Sequence, residues 1–351
     1  MSSFLDKRFA SLEAYVPGEQ PKDAKYIKLN TNESPYPPSP AVAEAARAEA
    51  EKLNLYCDPD CTLLRREAAA LFGVGEENVL AFNGSDEVLE FAFMAYGAKI
   101  AFPSISYGFY PVFARLFGSD ALKVPLREDM SIDHRDYLSL GRTVVIANPN
   151  APTGLALSPG QIEEIVRSNS GSVVVIDEAY VDFGAESVIP LTKKYDNLLV
   201  TRTFSKSHSL AGARLGFGIA GEEIIRDLNT IRNSTNPYNV NRMTQAAGTA
   251  AIRDNELYMS RCRAVARTRD RIADELKKAG FELTASKANF LFVRGGGLSG
   301  EEIYSGLRKR GVLVRWFSGG AISDRVRVSV GTEEQMDVFL AELKELQNEK
   351  K

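Results

Sequence analysis

Short runs of apolar residues with no polar alternation constrain this fold more than any other feature. They include Val79-Leu80-Ala81-Phe82, Thr143-Val144-Val145-Ile146-Ala147, Ser172-Val173-Val174-Val175-Ile176 and Asn197-Leu198-Leu199-Val200-Thr201. A strand with one wet face alternates polar and apolar residues, whereas a strand covered on both faces does not. Covered strands separated by helices imply a mostly parallel sheet flanked by helices. Lys99-Ile100-Ala101-Phe102-Pro103 and Gly216-Phe217-Gly218-Ile219-Ala220 are further candidate strands. Among the intervening helices, one over 40–53 has proline in its first turn. Thr62 opens a second that Gly73 ends, Val88 to Tyr96 is a third, and Ser158 caps another with Pro159 at its first position. The texture changes after Arg242. A long helical stretch over 243–280, with one break, precedes strands at 290–293, 312–315 and 325–330, a helix at 300–309, and a last helix from Glu333 to about Gln347. The expected architecture is α/β. An N-terminal arm (1–29) precedes a large domain (30–242) with a mostly parallel sheet flanked by helices, and a smaller α+β domain (243–351) follows.

At 351 residues the chain can bury a large core. Its net charge of −3 offers no attraction to nucleic acid or an anionic membrane, so neither is expected as a partner. An anionic substrate must then be held by locally placed arginines. No apolar stretch reaches the length of a membrane span, and the N-terminus lacks an apolar leader core, so a cytoplasmic protein is expected. Cys57, Cys61 and Cys262 read as free thiols of a reducing compartment. With His134 and His208 as the only histidines, no metal site is expected.

Open α/β sheets bind ligands beyond the carboxyl ends of their strands. The run ending at Thr201 leads into Thr203-Phe204-Ser205-Lys206, with Arg214 eight residues further on. A lysine among hydroxyls and an arginine there suits a covalent bond to a phosphorylated aldehyde cofactor. Asp177 follows an all-apolar run, where a carboxylate can keep a ring nitrogen protonated, and Tyr180 is placed to meet a ring hydroxyl. Gly84-Ser85-Asp86-Glu87 opens a helix whose first amides suit a phosphate; Ser85 or Asp86 as a plain helix cap is the competing reading. A strand ending in Asp-Glu also fits the magnesium site of a nucleotide hydrolase. That class needs a Gly-Lys dipeptide in its phosphate loop, and the chain has none.

Three stretches occur in a fixed order: Asn148-Pro149-Asn150-Ala151-Pro152-Thr153-Gly154, Asp177-Glu178-Ala179-Tyr180, and Thr203-Phe204-Ser205-Lys206 continuing through Leu210-Ala211-Gly212 to Arg214 and Gly216. Together they resemble the fold-type I pyridoxal-phosphate-dependent aminotransferases. Tyr15-Val16-Pro17-Gly18, Asn30-Thr31-Asn32-Glu33, Gly84-Ser85-Asp86-Glu87 and Val326-Arg327-Val328-Ser329-Val330-Gly331-Thr332 extend the resemblance over nearly the whole chain. They draw it toward the histidinol-phosphate aminotransferases of that family. The resemblance implies pyridoxal 5'-phosphate as cofactor, with Lys206 as its Schiff-base lysine, Asp177 at the pyridinium nitrogen and Tyr180 at the ring oxygen. These three are the expected catalytic residues. It also implies Tyr107 against the ring, and Ser85, Asp86, Thr203, Ser205 and Arg214 around the phosphate. Tyr56 is implied to reach the phosphate of the neighbouring subunit in a homodimer with shared sites. Arg315 and Arg327 are implied for the substrate anion, with Tyr15, Asn32 and Asn289 as further pocket residues. In much of the family an asparagine at the ring oxygen precedes Pro-Thr-Gly. Here that residue is Ala151, which leaves Asn150, one step back, as the candidate. The implied reaction moves an amino group between histidinol phosphate and 2-oxoglutarate, yielding glutamate, in histidine biosynthesis. Broad aromatic transamination, phosphothreonine decarboxylation and a cofactor-binding regulator stay open as alternatives.

Overall fold

A computed structural model describes residues 2–350, apart from 3, 10, 11, 23 and 24. Those five and residue 1 belong to the expected arm and lie outside the described residues, as does residue 351. Strand β1 (Ile27–Leu29) precedes helices α1 (Pro40–Ala50) and α2 (Thr62–Phe72), then β2 (Val79–Asn83) and α3 (Ser85–Tyr96). Next come β3 (Lys99–Pro103), α4 (Tyr110–Leu116), β4 (Asp120–Val124), β5 (Thr143–Ala147), α5 (Pro159–Ser168) and β6 (Val174–Asp177). Strands β7 (Leu198–Thr203) and β8 (Leu215–Ala220) lead to α6 (Glu222–Thr235), α7 (Arg242–Arg253) and α8 (Asn255–Lys278). The chain finishes with β9 (Phe281–Leu283), β10 (Phe290–Gly295), α9 (Gly300–Lys309), β11 (Val312–Trp316), β12 (Arg325–Ser329) and α10 (Glu333–Glu349).

The strands form two sheets, ordered β2-β8-β7-β6-β5-β3-β4 and β1-β11-β12-β10-β9. In the seven-stranded sheet, β7, β6, β5, β3 and β4 are mutually parallel, and β8 runs antiparallel between β7 and β2. Because β2 is antiparallel to β8, it points the same way as β7. The carboxyl ends of six strands and the amino end of β8 therefore share one edge. Alternate residues of each central strand enter different cores. Val144, Ile146, Val174, Ile176, Leu198 and Val200 pack toward α2, α5 and α7. Val145, Ala147, Val175 and Leu199 pack with residues of α3, α4 and α6. Both faces are thus covered, as the unalternating runs require.

The five-stranded sheet packs its own core with α8, α9 and α10. Its first strand, β1, comes from the segment expected as an arm and pairs in parallel with β11. The long helical stretch divides at Asp254, where α7 ends before α8 begins. The Asp254 carboxylate accepts from the Ser39 hydroxyl at 2.5 Å, which ties the break to the start of α1.

Candidate active site

The shared edge of the large sheet brings distant segments together. A cavity of about 170 Å³ is lined by Ser85 and Asp86 after β2, Tyr107 after β3, Ala151 after β5, and Asp177 and Tyr180 at β6. Thr203, Ser205 and Lys206 after β7 and Arg214 before β8 complete it, with Thr31 and Glu33.

Burial at this cavity shifts Asp177 and Lys206 in opposite directions, each toward its neutral form. Burial pushes the Asp177 carboxyl up to about 6, against the pull of the Thr201 and Tyr110 hydroxyls, which donate to it at 2.9 and 3.1 Å. Burial lowers the Lys206 amine to about 8, with the Arg327 charge adding to the effect. Lys206 Nζ donates to the Thr31 carbonyl at 3.1 Å. An amine that titrates at about 8 has a larger neutral fraction than an ordinary lysine, and that fraction can serve as nucleophile and proton carrier. Asn32 Nδ2 donates to the Tyr180 hydroxyl at 3.1 Å, which leaves the tyrosine proton free to be given elsewhere.

The start of α3 forms the other end of the cavity. Its N-cap is Gly84, without a side-chain cap, so neither Ser85 nor Asp86 caps the helix as the competing reading held. The first-turn amides are available to an anion. Arg214, in the left-handed backbone region at φ 57°, turns its guanidinium onto this spot. It donates to Asp86 Oδ2 at 3.1 Å and to the Ser205 hydroxyl at 3.4 Å. A Cβ added at Gly84 would come within 2.6 Å of Arg214 Nη2. The Tyr107 hydroxyl donates to Asp86 Oδ1 at 2.8 Å, which fixes the ring on the cavity wall.

Asn150 is not brought to the cavity. Its amide donates to the Ile105 carbonyl and the Thr153 hydroxyl, and its Oδ1 accepts from Ser106 at 2.7 Å. Ala151 faces the cavity instead. Asn150 therefore braces its loop instead of facing a ring oxygen: the chain turns over residues 151–153, and the Gly154 amide donates back to the Asn150 carbonyl at 2.7 Å. Tyr56 also lies away from it: its ring is 80% exposed and stacks on Tyr238 at 4.4 Å.

A second cavity of about 630 Å³ shares Tyr107 and Ala151 with the first and opens outward between the two sheets. Tyr15, Phe317, Arg315 and Arg327 line it. Arg315 and Arg327 are direct cross-strand neighbours on β11 and β12. Like charges in that relation destabilise a sheet unless an anion meets them. Arg327 Nη2 donates to the Asn30 carbonyl, while its Nε is buried without a partner among the described residues. Asn289 Nδ2 donates to the Asn32 carbonyl at 3.0 Å, so both asparagines support this region from the core. Sequence reasoning did not single out Thr31, Glu33, Tyr110 or Thr201. The last two come from covered elements, where nothing in the sequence separates a ligand-supporting hydroxyl from a packed one.

The chain's similarities agree with this geometry. The family model "Aminotransferase class I and II" matches residues 24–343. The histidinol-phosphate aminotransferase of Brachyspira hyodysenteriae is 48% identical over 349 residues, covering 98% of this chain and 99% of the relative. That of Clostridium acetobutylicum is 46% identical with the same coverage. The histidinol-phosphate aminotransferase of Sinorhizobium meliloti, solved in complex with pyridoxal-5'-phosphate, superposes with a TM-score of 0.89. It covers 100% of this chain and 99% of its own at 24% identity, and so speaks for the fold. With a family model over most of its length and near-full-length relatives above 45% identity, the chain belongs to the class I and II aminotransferases and, within them, to the histidinol-phosphate aminotransferase family.

Proposed function

We propose that this chain is a pyridoxal-phosphate-dependent aminotransferase that exchanges an amino group between histidinol phosphate and 2-oxoglutarate, in the cytoplasm, as a homodimer. The observation that carries the reading is the meeting of Lys206, Asp177 and the uncapped start of α3 in one cavity. The residues fit the cofactor. A phosphate suits the free amides of α3 beside Arg214 and the hydroxyls of Ser85, Thr203 and Ser205. Asp177, whose side-chain partners are hydroxyls rather than a cation, would hold a ring nitrogen in its protonated form. Tyr180 would donate to a ring oxygen, and Tyr107 would lie against the ring. Lys206 Nζ would hold the aldehyde carbon. Once bound, pyridoxal phosphate supplies an electron-withdrawing ring and a carbonyl that takes up the amino group.

The protein's own groups do the rest. Lys206, when free, takes the proton from the substrate α-carbon and returns it on the way to product. Arg327 and Arg315 would receive the substrate anion, since a guanidinium pairs equally well with a carboxylate or a phosphate. Tyr15, Asn32 and Asn289 would shape that pocket. The exposed Tyr56 would reach the partner subunit's phosphate site. Among the described residues no helix is long and apolar enough to cross a membrane.

Borohydride treatment of the loaded protein, followed by peptide mass analysis, tests the assignment. The cofactor mass is expected on Lys206, and Lys206→Ala should abolish both the adduct and turnover. An adduct on another residue, or near-normal turnover of Lys206→Ala, would overturn it. Histidinol phosphate should be used far better than histidinol or phenylalanine. Equal use would favour a broad aromatic aminotransferase.

A further inference from the structure

We propose that Lys123 joins Arg315 in a subsite for the phosphate monoester of the substrate, an inference that rests on the histidinol-phosphate reading above. Lys123 stands near the carboxyl end of β4, which is parallel to β3, so it lies on the ligand-binding edge of the large sheet. It lines the larger cavity together with its register partner Phe102. Among the described residues, the charged ones lining that cavity are Lys123, Arg315 and Arg327, and none is a carboxylate, in a chain whose net charge is −3. The concentration of positive charge is therefore local.

The three cations are not equally free. Arg315 already donates from both terminal nitrogens, to the Val16 and Pro17 carbonyls at 3.1 and 3.2 Å. Arg327 donates to the Asn30 carbonyl, and its guanidinium lies 5.5 Å from the Phe290 ring, which itself packs edge-on against Tyr180. Arg327 thus belongs to the inner end, near the reacting groups. Lys123 has no hydrogen-bond or ion-pair partner among the described residues, so all three of its donors face the cavity or solvent. In histidinol phosphate the phosphorus lies further from the reacting carbon than the α-carboxylate of glutamate does. A cation outward of Arg327 is met by the phosphate dianion before it is met by that carboxylate. A lysine on an edge strand can also serve only to discourage strand pairing. That role predicts no dependence on the substrate's phosphate.

The holoenzyme decides between these roles through Lys123→Gln and Lys123→Arg, assayed with histidinol phosphate, histidinol and glutamate. Calorimetric binding of phenyl phosphate, an unreactive monoester, runs alongside. Lys123→Gln is expected to lower kcat/KM for histidinol phosphate by about ten-fold and to weaken phenyl phosphate by a similar factor. It should leave histidinol and glutamate within about two-fold and flatten the ionic-strength dependence seen with the phosphorylated substrate. Lys123→Arg should restore most of the loss. Unchanged phenyl phosphate binding would overturn the proposal, as would an equal or larger loss with glutamate. If the unaltered protein uses histidinol as well as histidinol phosphate, the histidinol-phosphate reading itself fails. The phenyl phosphate affinity still judges Lys123 in that case.

Discussion

His208 stands two residues beyond Lys206 and shares none of its chemistry. Its ring stacks on Phe204 at 3.8 Å, Nδ1 meets the Ser207 hydroxyl at 2.9 Å, and Nε2 meets Asn255 Oδ1 at 3.1 Å. Burial, the largest influence, lowers its pKa from 6.5 to about 4, so the folded protein keeps it neutral. The unfolded chain takes up this proton near pH 6.5 and the folded chain only near 4. Stability from His208 is therefore whole above about 6.5, falls as pH drops through that window, and is fully lost below about 4, at a total of about 3 kcal/mol. Asp177 titrates inside the same window with the opposite sign, so the informative quantity is the difference between parent and His208→Gln. Denaturant unfolding from pH 7 to 4 should show the two stabilities converging as pH falls. Parallel curves would mean that His208 is not held neutral. Residues at strand ends, such as Lys206 and Asp177, were legible because an apolar run fixes where its polar successor must emerge. The facing of loop residues was not legible: Asn150 braces its loop through Ile105 and Ser106, and His208 is turned into the core partly through Asn255, residues distant in sequence.

At the level of elements, β8 makes the site possible. By returning antiparallel between β7 and β2 it delivers Arg214 to the same edge as Ser85 and Lys206. The strand lies so close to α3 that a Cβ on Gly216 would stand 2.4 Å from the Ser85 amide nitrogen and 2.5 Å from the Gly84 carbonyl carbon. Backbone cannot yield as a side chain does. Gly216→Ala should therefore displace the first turn of α3, costing about 1–3 kcal/mol of stability. It should also weaken cofactor affinity more than an alanine at an exposed position such as Glu223 does. Cofactor titration alongside thermal unfolding checks both, and normal affinity with unchanged stability would refute the close approach. The glycines of β8 suggested only a weak strand in the sequence, since their cause lies in a helix more than a hundred residues earlier. The long apolar strands were plain, whereas β4, exposed at four of five positions, and the three-residue strands β1 and β9 carry no comparable signal. Edge strands need no apolar run because one side of their backbone and much of their surface stay wet.

On the scale of the whole molecule, the unexplained surface is the segment between α1 and α2 and its surroundings. Leu53, Leu55, Tyr56 and Leu63 are all exposed there, and Tyr56 stacks on the less exposed Tyr238. A cluster of exposed apolar side chains is what a contact face leaves on a single subunit, and it fits the homodimer proposed above. In the proposed twofold dimer that face would meet itself, and each subunit would lend Tyr56 to the other's phosphate site. This arrangement makes a prediction that no monomeric enzyme can satisfy. Tyr56→Ala and Lys206→Ala subunits, each nearly inactive alone, are unfolded together and refolded as a mixture. In a mixed dimer one site carries both lesions. The other pairs an intact Lys206 with an intact Tyr56 from across the interface. Random pairing at equal amounts makes half the dimers mixed, so activity should return to about one quarter of that of the unaltered protein. The recovery should be absent when the two variants are mixed without exchange. If Tyr56→Ala alone keeps full activity and cofactor affinity, or if mixing restores nothing although light scattering shows dimers, Tyr56 serves its own surface and the sites are not shared.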